Sequence, residues 1–260
     1  MFIKYIDKYF LKKPKVRKLV TKLLEGDRNF SLKLLGLDIY LNTVKEHGYL
    51  RSSRLINSSA FLRDEVPVLL NLAAILDHDD TFVDIGANIG LYSIFFAQLR
   101  KLKENVNIFA FEANPDTFTR LQKNALKYNF NALNLAISKN TEKLKFIAGA
   151  VSHVFTTVDN KSTYNINDKM VEVRAGRLDK QNIKGKSLII KIDVEGQELA
   201  VLEGAQNLFD ESKIKAVFID GFNDPKILSF LKHYDLKILN AQSLQLTSQV
   251  GGQLLALKNY

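Results

Sequence analysis

The chain has 260 residues, of which 46% are hydrophobic and 25% are charged, and it carries no cysteine and a formal net charge of +9. This length and composition favour one domain with an extension, and they exclude a disulfide framework and a thiolate metal site. No apolar run reaches the roughly 20 residues that span a bilayer. Lysines interrupt the first apolar residues, which argues against a signal-peptide core, so we expect a cytoplasmic protein.

Residues 1–59 are predicted to form a basic, helical N-terminal extension, with the main domain over residues 60–260. The first 35 residues hold ten lysines and arginines against three acids. Apolar residues recur at helical spacing at Phe2, Ile3, Ile6, Tyr9 and Phe10, and Pro14 interrupts the pattern. Such a basic amphipathic helix either docks on an anionic membrane surface or nucleic acid, or packs on its own domain with a solvated lysine face.

The chain is predicted to be helical up to about residue 75, where EVPVLLNLAAIL (65–76) is the clearest helix. From Thr81 onward, β-rich runs alternate with helical patterns. The predicted strands are TFVDIG, NIFAFEA, NALNLAIS, SLIIKIDV, IKAVFID, LKILN and QLLALK, and residues 143–175 are polar and irregular with β-hairpin character. This alternation predicts a doubly wound α/β sheet with right-handed crossovers.

The turn FVDIGANIG (82–90) follows the first of these strands, where open α/β sheets bind their ligands. A dinucleotide fingerprint needs a middle glycine for close approach to the pyrophosphate, and here Asn88 stands between Gly86 and Gly90. A phosphate loop is excluded because no G-K-[ST] follows. The turn therefore suits a ligand that needs close backbone approach but has no pyrophosphate.

Glu112 ends the next predicted strand, in FAFEANP. A carboxylate at this position can accept two hydrogen bonds from the vicinal hydroxyls of a ribose. The alternative is an ordinary solvated glutamate at a strand end. Because NAD enzymes share this feature, Glu112 predicts nucleoside binding without fixing the cofactor.

Lys191 lies in the middle of a strand that is apolar enough to be buried on both faces. A buried lysine is costly unless it is paired, so we expect Lys191 to pair with Asp84 or Asp193. The pair is either purely structural or part of the active site. In both cases this cluster is where perturbed pKa values are expected.

Four segments together resemble the FkbM family of S-adenosylmethionine-dependent methyltransferases, over roughly residues 60 to 220. They are VDIGANIGLYS (83–93), FEANP (111–115), NLAIS (134–138) and IIKIDVEGQELAVLEGA (189–205). The resemblance implies a Rossmann-like class I methyltransferase sheet, mostly parallel with an antiparallel last strand, and S-adenosylmethionine as cofactor.

The resemblance also implies roles for individual residues. The turn residues near the methionine end of the cofactor would be Asp84, Gly86, Asn88 and Gly90, and Glu112 would bind the ribose. Ala113, Asn114, Asn134 and Ala136 would lie near the adenine, and Asp193 near the cofactor amine and the acceptor. We expect Gly90→Val to abolish cofactor binding while leaving the protein folded.

Transfer of the methyl group to oxygen is an in-line displacement, in which positioning matters most and a base adds about 10²–10⁴-fold. The base candidates are Asp193, Glu195 and His153, with Lys191 in the same cluster. Carboxylates also suit Mg²⁺, which Asp193, Glu195 and Asp220 would hold, but we predict no metal site.

The leading hypothesis is an O-methyltransferase acting on a hydroxyl of a glycan or another biosynthetic intermediate, an inference by analogy with the family. The basic helix would then hold the enzyme beside lipid-linked acceptors at the cytoplasmic membrane face. The alternatives are a nucleic-acid methyltransferase, which the charge permits although no stacking pattern supports it, and a non-catalytic binding protein that retains the fold.

Overall fold

The computed structural model describes residues 14–54, 61–148, 155–157 and 169–258. The α-helices are α1 (Pro14–Glu25), α2 (His47–Arg54), α3 (Val66–Ile75), α4 (Leu91–Leu99), α5 (Pro115–Tyr128), α6 (Glu198–Gly204), α7 (Gln206–Asp210) and α8 (Lys226–His233). The strands are β1 (Asn29–Leu34), β2 (Leu37–Asn42), β3 (Thr81–Ile85), β4 (Asn107–Phe111), β5 (Asn131–Leu133), β6 (Ala136–Ile137), β7 (Glu142–Ala148), β8 (Phe155–Thr157), β9 (Lys169–Gly176), β10 (Leu188–Ile192), β11 (Ile214–Asp220), β12 (Leu236–Asn240) and β13 (Gln253–Lys258). A π-helical turn (Phe61–Glu65) precedes α3, and a 3₁₀ turn (Leu178–Lys180) follows β9.

The central sheet has seven described strands in the order β12-β13-β11-β10-β3-β4-β5. Strands β11, β10, β3, β4 and β5 pair in parallel, and β13 runs antiparallel to both β11 and β12. The predicted mostly parallel, doubly wound α/β sheet with an antiparallel last strand is therefore confirmed. The strand order reverses at β3, which lies between β10 and β4, so the carboxyl ends of these strands form the crevice where such sheets bind ligands.

The inner strands are apolar along their whole length because both faces of the sheet are covered. Every residue of β3 and β10 is buried, as expected for parallel strands between two helical layers. One hydrophobic cluster includes Phe82 and Phe96, whose rings stack 3.8 Å apart, and another lies on the opposite face around Ile190 and Val217. This packing fixes the strand ends that carry the candidate site.

A second sheet, in the order β6-β9-β7-β8, covers the stretch where the sequence showed only hairpin character. Strand β7 pairs antiparallel with β9 over its full length. The single predicted strand NALNLAIS is in fact two, because β5 belongs to the central sheet and β6 pairs with β9. The second sheet buries Phe146 and Val173 against Ala136, and it forms one wall of the crevice.

The prediction of a helical extension is wrong for residues 29–42, which form the antiparallel hairpin β1–β2. Leu32, Leu34, Ile39 and Leu41 are buried in the same cluster as the helices of the main sheet. Apolar residues alternate with polar ones along this stretch, a period of two that is typical of strands. The turn at Gly36, with φ of 79°, closes the hairpin.

Helix α1 begins at Pro14, where proline fits because the first helical position needs no N–H donor. The helical pattern predicted over Phe2 to Phe10 lies outside the described residues. The division of the chain at residue 60 stays a prediction. None of the helices in the described part of the chain combines the length and the apolar character needed to cross a bilayer.

Candidate active site

The glycine turn links β3 to α4 and packs directly against the segment that follows β10. Gly86 has a φ of 73° and Asn88 a φ of 52°, in the left-handed region. A Cβ atom at Gly86 would lie 1.8 Å from the carbonyl oxygen of Asp193. Only glycine therefore allows this close approach, which brings two of the predicted site segments together.

Gly90 has a different role, since it begins α4 with a φ of 86°. A Cβ atom there would lie 2.7 Å from Leu121 Cδ1 and 3.3 Å from Phe130, both in the core. Valine at this position would force core side chains apart. We therefore expect Gly90→Val to destabilise the fold as well as to weaken cofactor binding.

Glu112 ties the end of β4 to the glycine turn. Its Oε2 accepts a hydrogen bond from the backbone N–H of Asn88 at 2.8 Å, and its Oε1 accepts one from the N–H of Asn114 at 2.8 Å. Each carboxylate oxygen keeps a second lone pair. Burial raises the pKa of Glu112 to about 7, although both backbone hydrogen bonds lower it.

A recess opens between the glycine turn, the end of β4 and the second sheet. Its walls include seven residues predicted for the site: Gly86, Asn88, Glu112, Ala113, Ala136, Asp193 and Glu195. Phe111, Ile137 and Phe146 supply apolar surface. In the described part of the chain, the Oδ1 atom of Asn88 is buried without a hydrogen-bond partner.

Two predicted adenine-side residues support the recess without lining it. The Oδ1 of Asn114 accepts from the N–H of Asp116 at 3.0 Å and caps α5, as an asparagine before a helix commonly does. The Nδ2 of Asn134 donates to the carbonyl oxygens of Glu112 and Ala113, at 2.8 and 3.1 Å. Both asparagines therefore hold the backbone around Glu112.

The predicted pairing of Lys191 is confirmed, with both partners. Its Nζ lies 3.1 Å from Asp84 Oδ1 and 3.3 Å from Asp193 Oδ2. The Lys191 and Asp84 side chains are only 4% and 1% exposed, and Asp84 also accepts from the N–H and Oγ of Ser93. The two carboxylates hold the pKa of Lys191 above its usual range despite the burial, so its ammonium stays charged.

Asp193 itself lies at the edge of the recess, with a side chain that is 46% exposed. Partial burial of the carboxylate raises its pKa, while Lys191 opposes this and the nearby Asp220 adds to it. Partial burial and the nearby Asp193 and Asp220 carboxylates raise the pKa of Glu195. Negative charge therefore accumulates at the carboxyl ends of β10 and β11.

The sequence analysis missed Glu65 and Tyr92, which lie beside this cluster. The Tyr92 hydroxyl donates to Glu65 Oε2 at 2.5 Å, and the Nζ of Lys191 lies 5.1 Å from the centre of the Tyr92 ring. Tyr92 stands two residues after Gly90 in the quoted motif VDIGANIGLYS, so the motif held a signal for it. Glu65 gave none, because it precedes the matched segments.

His153 lies outside the described residues, so its role stays a prediction. Asp193, Glu195 and Asp220 do not form a metal-binding group, since no three His, Cys, Asp or Glu side chains within the described ranges are close enough to hold an ion. Asp220 instead accepts a hydrogen bond from Gln253 Nε2 at 3.0 Å.

Comparison with known proteins gives a consistent result. A family model described as the methyltransferase FkbM domain matches residues 84–238. Over 172 residues the chain is 32% identical to a protein of Haloferax volcanii named hexuronic acid methyltransferase AglP, and the alignment covers 64% of this chain and 66% of that protein. The chain thus spans just under two thirds of that relative's length.

Solved structures show weaker likeness. A methyltransferase FkbM from Methylobacillus flagellatus matches with a TM-score of 0.46 and 18% identity, covering 70% of this chain and 44% of that one. A TehB-like S-adenosylmethionine-dependent methyltransferase from Corynebacterium glutamicum matches with a TM-score of 0.41 and 11% identity, covering 82% and 99%.

Proposed function

The chain belongs to the FkbM methyltransferase family, and on this premise we propose that it transfers a methyl group from S-adenosylmethionine to an oxygen atom of a sugar. The observation that carries the proposal is the recess in which the glycine turn, Glu112 and Asp193 meet.

The residues around the recess fit S-adenosylmethionine. The free lone pairs of Glu112 suit the two ribose hydroxyls, and the unpartnered Oδ1 of Asn88 offers an acceptor to a donor on the ligand. Ala136 and Phe146 supply apolar surface for an adenine ring. The bound cofactor would supply a methyl group that its sulfonium already activates, so the protein's task is to position the acceptor.

For the acceptor we propose a hydroxylated sugar of a glycan, with hexuronic acids as the first candidates because the Haloferax relative is named for them. The test is mass spectrometry of surface glycans from cells with and without the gene. We expect a methyl-bearing sugar to lose its methyl group in the deletion strain. Unchanged glycans would contradict the glycan acceptor, while leaving binding of S-adenosylmethionine to be measured separately.

The pH dependence of cofactor binding tests the role of Glu112. Ribose hydroxyls donate best to an ionised carboxylate, and burial raises the pKa of Glu112 to about 7. As the pH falls through about 7, the carboxylate gains a proton and the affinity for S-adenosylmethionine should fall, approaching about tenfold per pH unit. Isothermal titration between about pH 6 and 8.5 measures this.

Glu112→Gln should bind S-adenosylmethionine more weakly at about pH 8, by at least tenfold, which corresponds to about 1.4 kcal/mol. It should also lose most of the pH dependence, because the amide does not titrate near neutral pH. The matched control is Glu211→Gln, which removes a half-exposed carboxylate paired with Lys213 at the surface. An unchanged pH profile in Glu112→Gln would remove Glu112 from the cofactor site.

We also propose that helix α1 places the enzyme on the cytoplasmic face of an anionic membrane. Its Leu19, Leu23 and Leu24 are 58%, 76% and 77% exposed, and Lys18 and Lys22 lie on the same short helix. Exposed leucines and lysines together suit insertion at a charged lipid surface. A lipid-linked glycan would then be within reach of the site.

Sedimentation with vesicles containing anionic phosphatidylserine tests this docking. We expect the protein with all three leucines replaced by serine to lose most of its sedimentation, since each buried leucine contributes about 1.5–3 kcal/mol. Neutral phosphatidylcholine vesicles and a protein carrying Leu126→Ser serve as controls, because Leu126 is equally exposed, at 79%, but belongs to α5. Equal sedimentation of the triple variant and the wild type would refute the membrane proposal.

A further inference from the structure

Glu65 is a half-buried carboxylate that the proposed cofactor contacts leave unused. Its Oε2 accepts the hydroxyl of Tyr92 at 2.5 Å, and no donor within the described ranges bonds to its Oε1. Tyr92 belongs to α4, the helix that begins directly after the glycine turn. The hydrogen bond therefore fixes Glu65 relative to that turn and leaves one oxygen available.

A short chain of contacts connects Glu65 to the recess. The Tyr92 ring lies beside the Nζ of Lys191, with 5.1 Å between the nitrogen and the ring centre. The same Nζ lies 3.4 Å from the carbonyl oxygen of Gly86 and 3.3 Å from Asp193 Oδ2, and both residues line the recess. Glu65 is thus connected to the wall of the recess through Tyr92 and Lys191.

Glu65 suits proton transfer better than Asp193 does. Asp193 is neutralised by the ammonium of Lys191, whereas Glu65 forms no salt bridge with the cations of the described residues. Burial is the main cause that raises the pKa of Glu65 to about 7, which is where a general base is most effective at neutral pH. The charged or titratable groups that face it are Tyr49, Tyr92, Lys191, Asp193 and Asp220.

We propose that Glu65 Oε1 is the base that takes the proton of the acceptor hydroxyl, a step that depends on the proposed methyl transfer. The acceptor oxygen forms a bond to the methyl carbon as the carbon–sulfur bond breaks and leaves its electron pair on sulfur. The hydroxyl proton moves to Glu65 and from there to water. Tyr92 acts as a positioning residue, because its hydroxyl holds the other carboxylate oxygen.

The first test uses Glu65→Gln in the full-length protein, with the unmethylated glycan from cells that lack the gene as acceptor. We expect kcat to fall by about 10²–10⁴-fold, while the Kd of S-adenosylmethionine, from isothermal titration, changes by less than about twofold. The matched control is Asp64→Asn, which removes the neighbouring carboxylate that pairs with Arg63 at the surface. An unchanged kcat in Glu65→Gln would overturn the proposal.

The second test uses two variants that shift the pKa of Glu65 in opposite directions. Tyr92→Phe removes the hydrogen bond that lowers the pKa of Glu65, and Asp220→Asn removes a negative charge that raises it. The acid limb of the pH–rate profile should therefore move to higher pH in Tyr92→Phe and to lower pH in Asp220→Asn. If the acid limb does not move, or moves in the same direction in both variants, Glu65 is not the base. A purely structural role of Glu65 would not move the acid limb in opposite directions.

The experiments distinguish a failure of the proposed role of Glu65 from a failure of the proposed function. If the wild type neither binds S-adenosylmethionine nor methylates the glycan, the proposed function fails and the role of Glu65 fails with it. If the wild type is active and Glu65→Gln is equally active, only the role of Glu65 fails.

Discussion

Lys191→Met is expected to lower the free energy of unfolding by about 3–5 kcal/mol, the loss that follows when one partner of a buried ion pair is removed. The Asp84 side chain is 1% exposed and would keep only the two hydrogen bonds from Ser93. Its charge would then be buried without a counter-ion. Urea denaturation followed by circular dichroism measures the change.

A second pair provides the control at the opposite edge of the sheet. Lys215 Nζ lies 2.9 Å from the buried Asp80 and 2.6 Å from Asp77, before β3 begins. Lys215→Met should also destabilise the protein, yet leave the Kd of S-adenosylmethionine unchanged. Lys191→Met should weaken cofactor binding as well, because Asp193 loses the partner that holds it at the recess.

The double variant Asp84→Asn with Lys191→Met completes this test. Removing both charges leaves no uncompensated ion, so much of the lost stability should return. Cofactor binding should not return with it, since Asp193 still lacks its partner. A Lys191→Met protein that unfolds at the same urea concentration as the wild type would contradict the buried pair altogether.

The pairing of Lys191 illustrates what the sequence predicts well. A lysine inside an apolar strand demands a carboxylate, and parallel pairing places Asp84 of β3 directly beside Lys191 of β10. Regular alternation of strands and helices likewise predicted the central sheet. These inferences depend on short-range patterns and on the cost of burial, both of which the sequence shows directly.

The hairpin and Glu65 illustrate what the sequence did not reveal. The alternation over residues 29–42 was present, but the basic charge and helical spacing of the preceding residues dominated the interpretation. Glu65 gave no local signal, because its proposed role follows from a contact with Tyr92, 27 residues away. Contacts of this kind depend on how α3 packs beside α4, which periodicity does not predict.

The sequence likewise predicted one part of the recess and missed another. Glu112 and the glycine turn were identified from their positions at strand ends, and the structure places both at its walls. The apolar wall from the second sheet was missed, because β7 and β9 pair across a long stretch of chain whose pattern is irregular. The sequence therefore predicted the part of the recess that the strands of the central sheet carry.

Gly86→Ala is expected to raise the Kd of S-adenosylmethionine by more than about 100-fold, or about 2.7 kcal/mol. The added Cβ would lie 1.8 Å from the carbonyl oxygen of Asp193, which is backbone and has no rotamer to escape into. Asp193 is itself held by the hydrogen bond from its N–H to the carbonyl oxygen of Ile85, at 3.0 Å. The turn and the segment after β10 would have to separate, and the recess between them would lose its shape.

Gly36→Ala is the matched control, because Gly36 has a similar φ of 79° but no atom within 4 Å of the added Cβ. It carries the same left-handed backbone cost, about 1–2 kcal/mol, without the collision. We expect Gly36→Ala to lower the thermal midpoint while leaving the Kd of S-adenosylmethionine unchanged in isothermal titration. Equal losses of affinity in the two variants would mean that backbone strain, and not the contact with Asp193, explains the effect at Gly86.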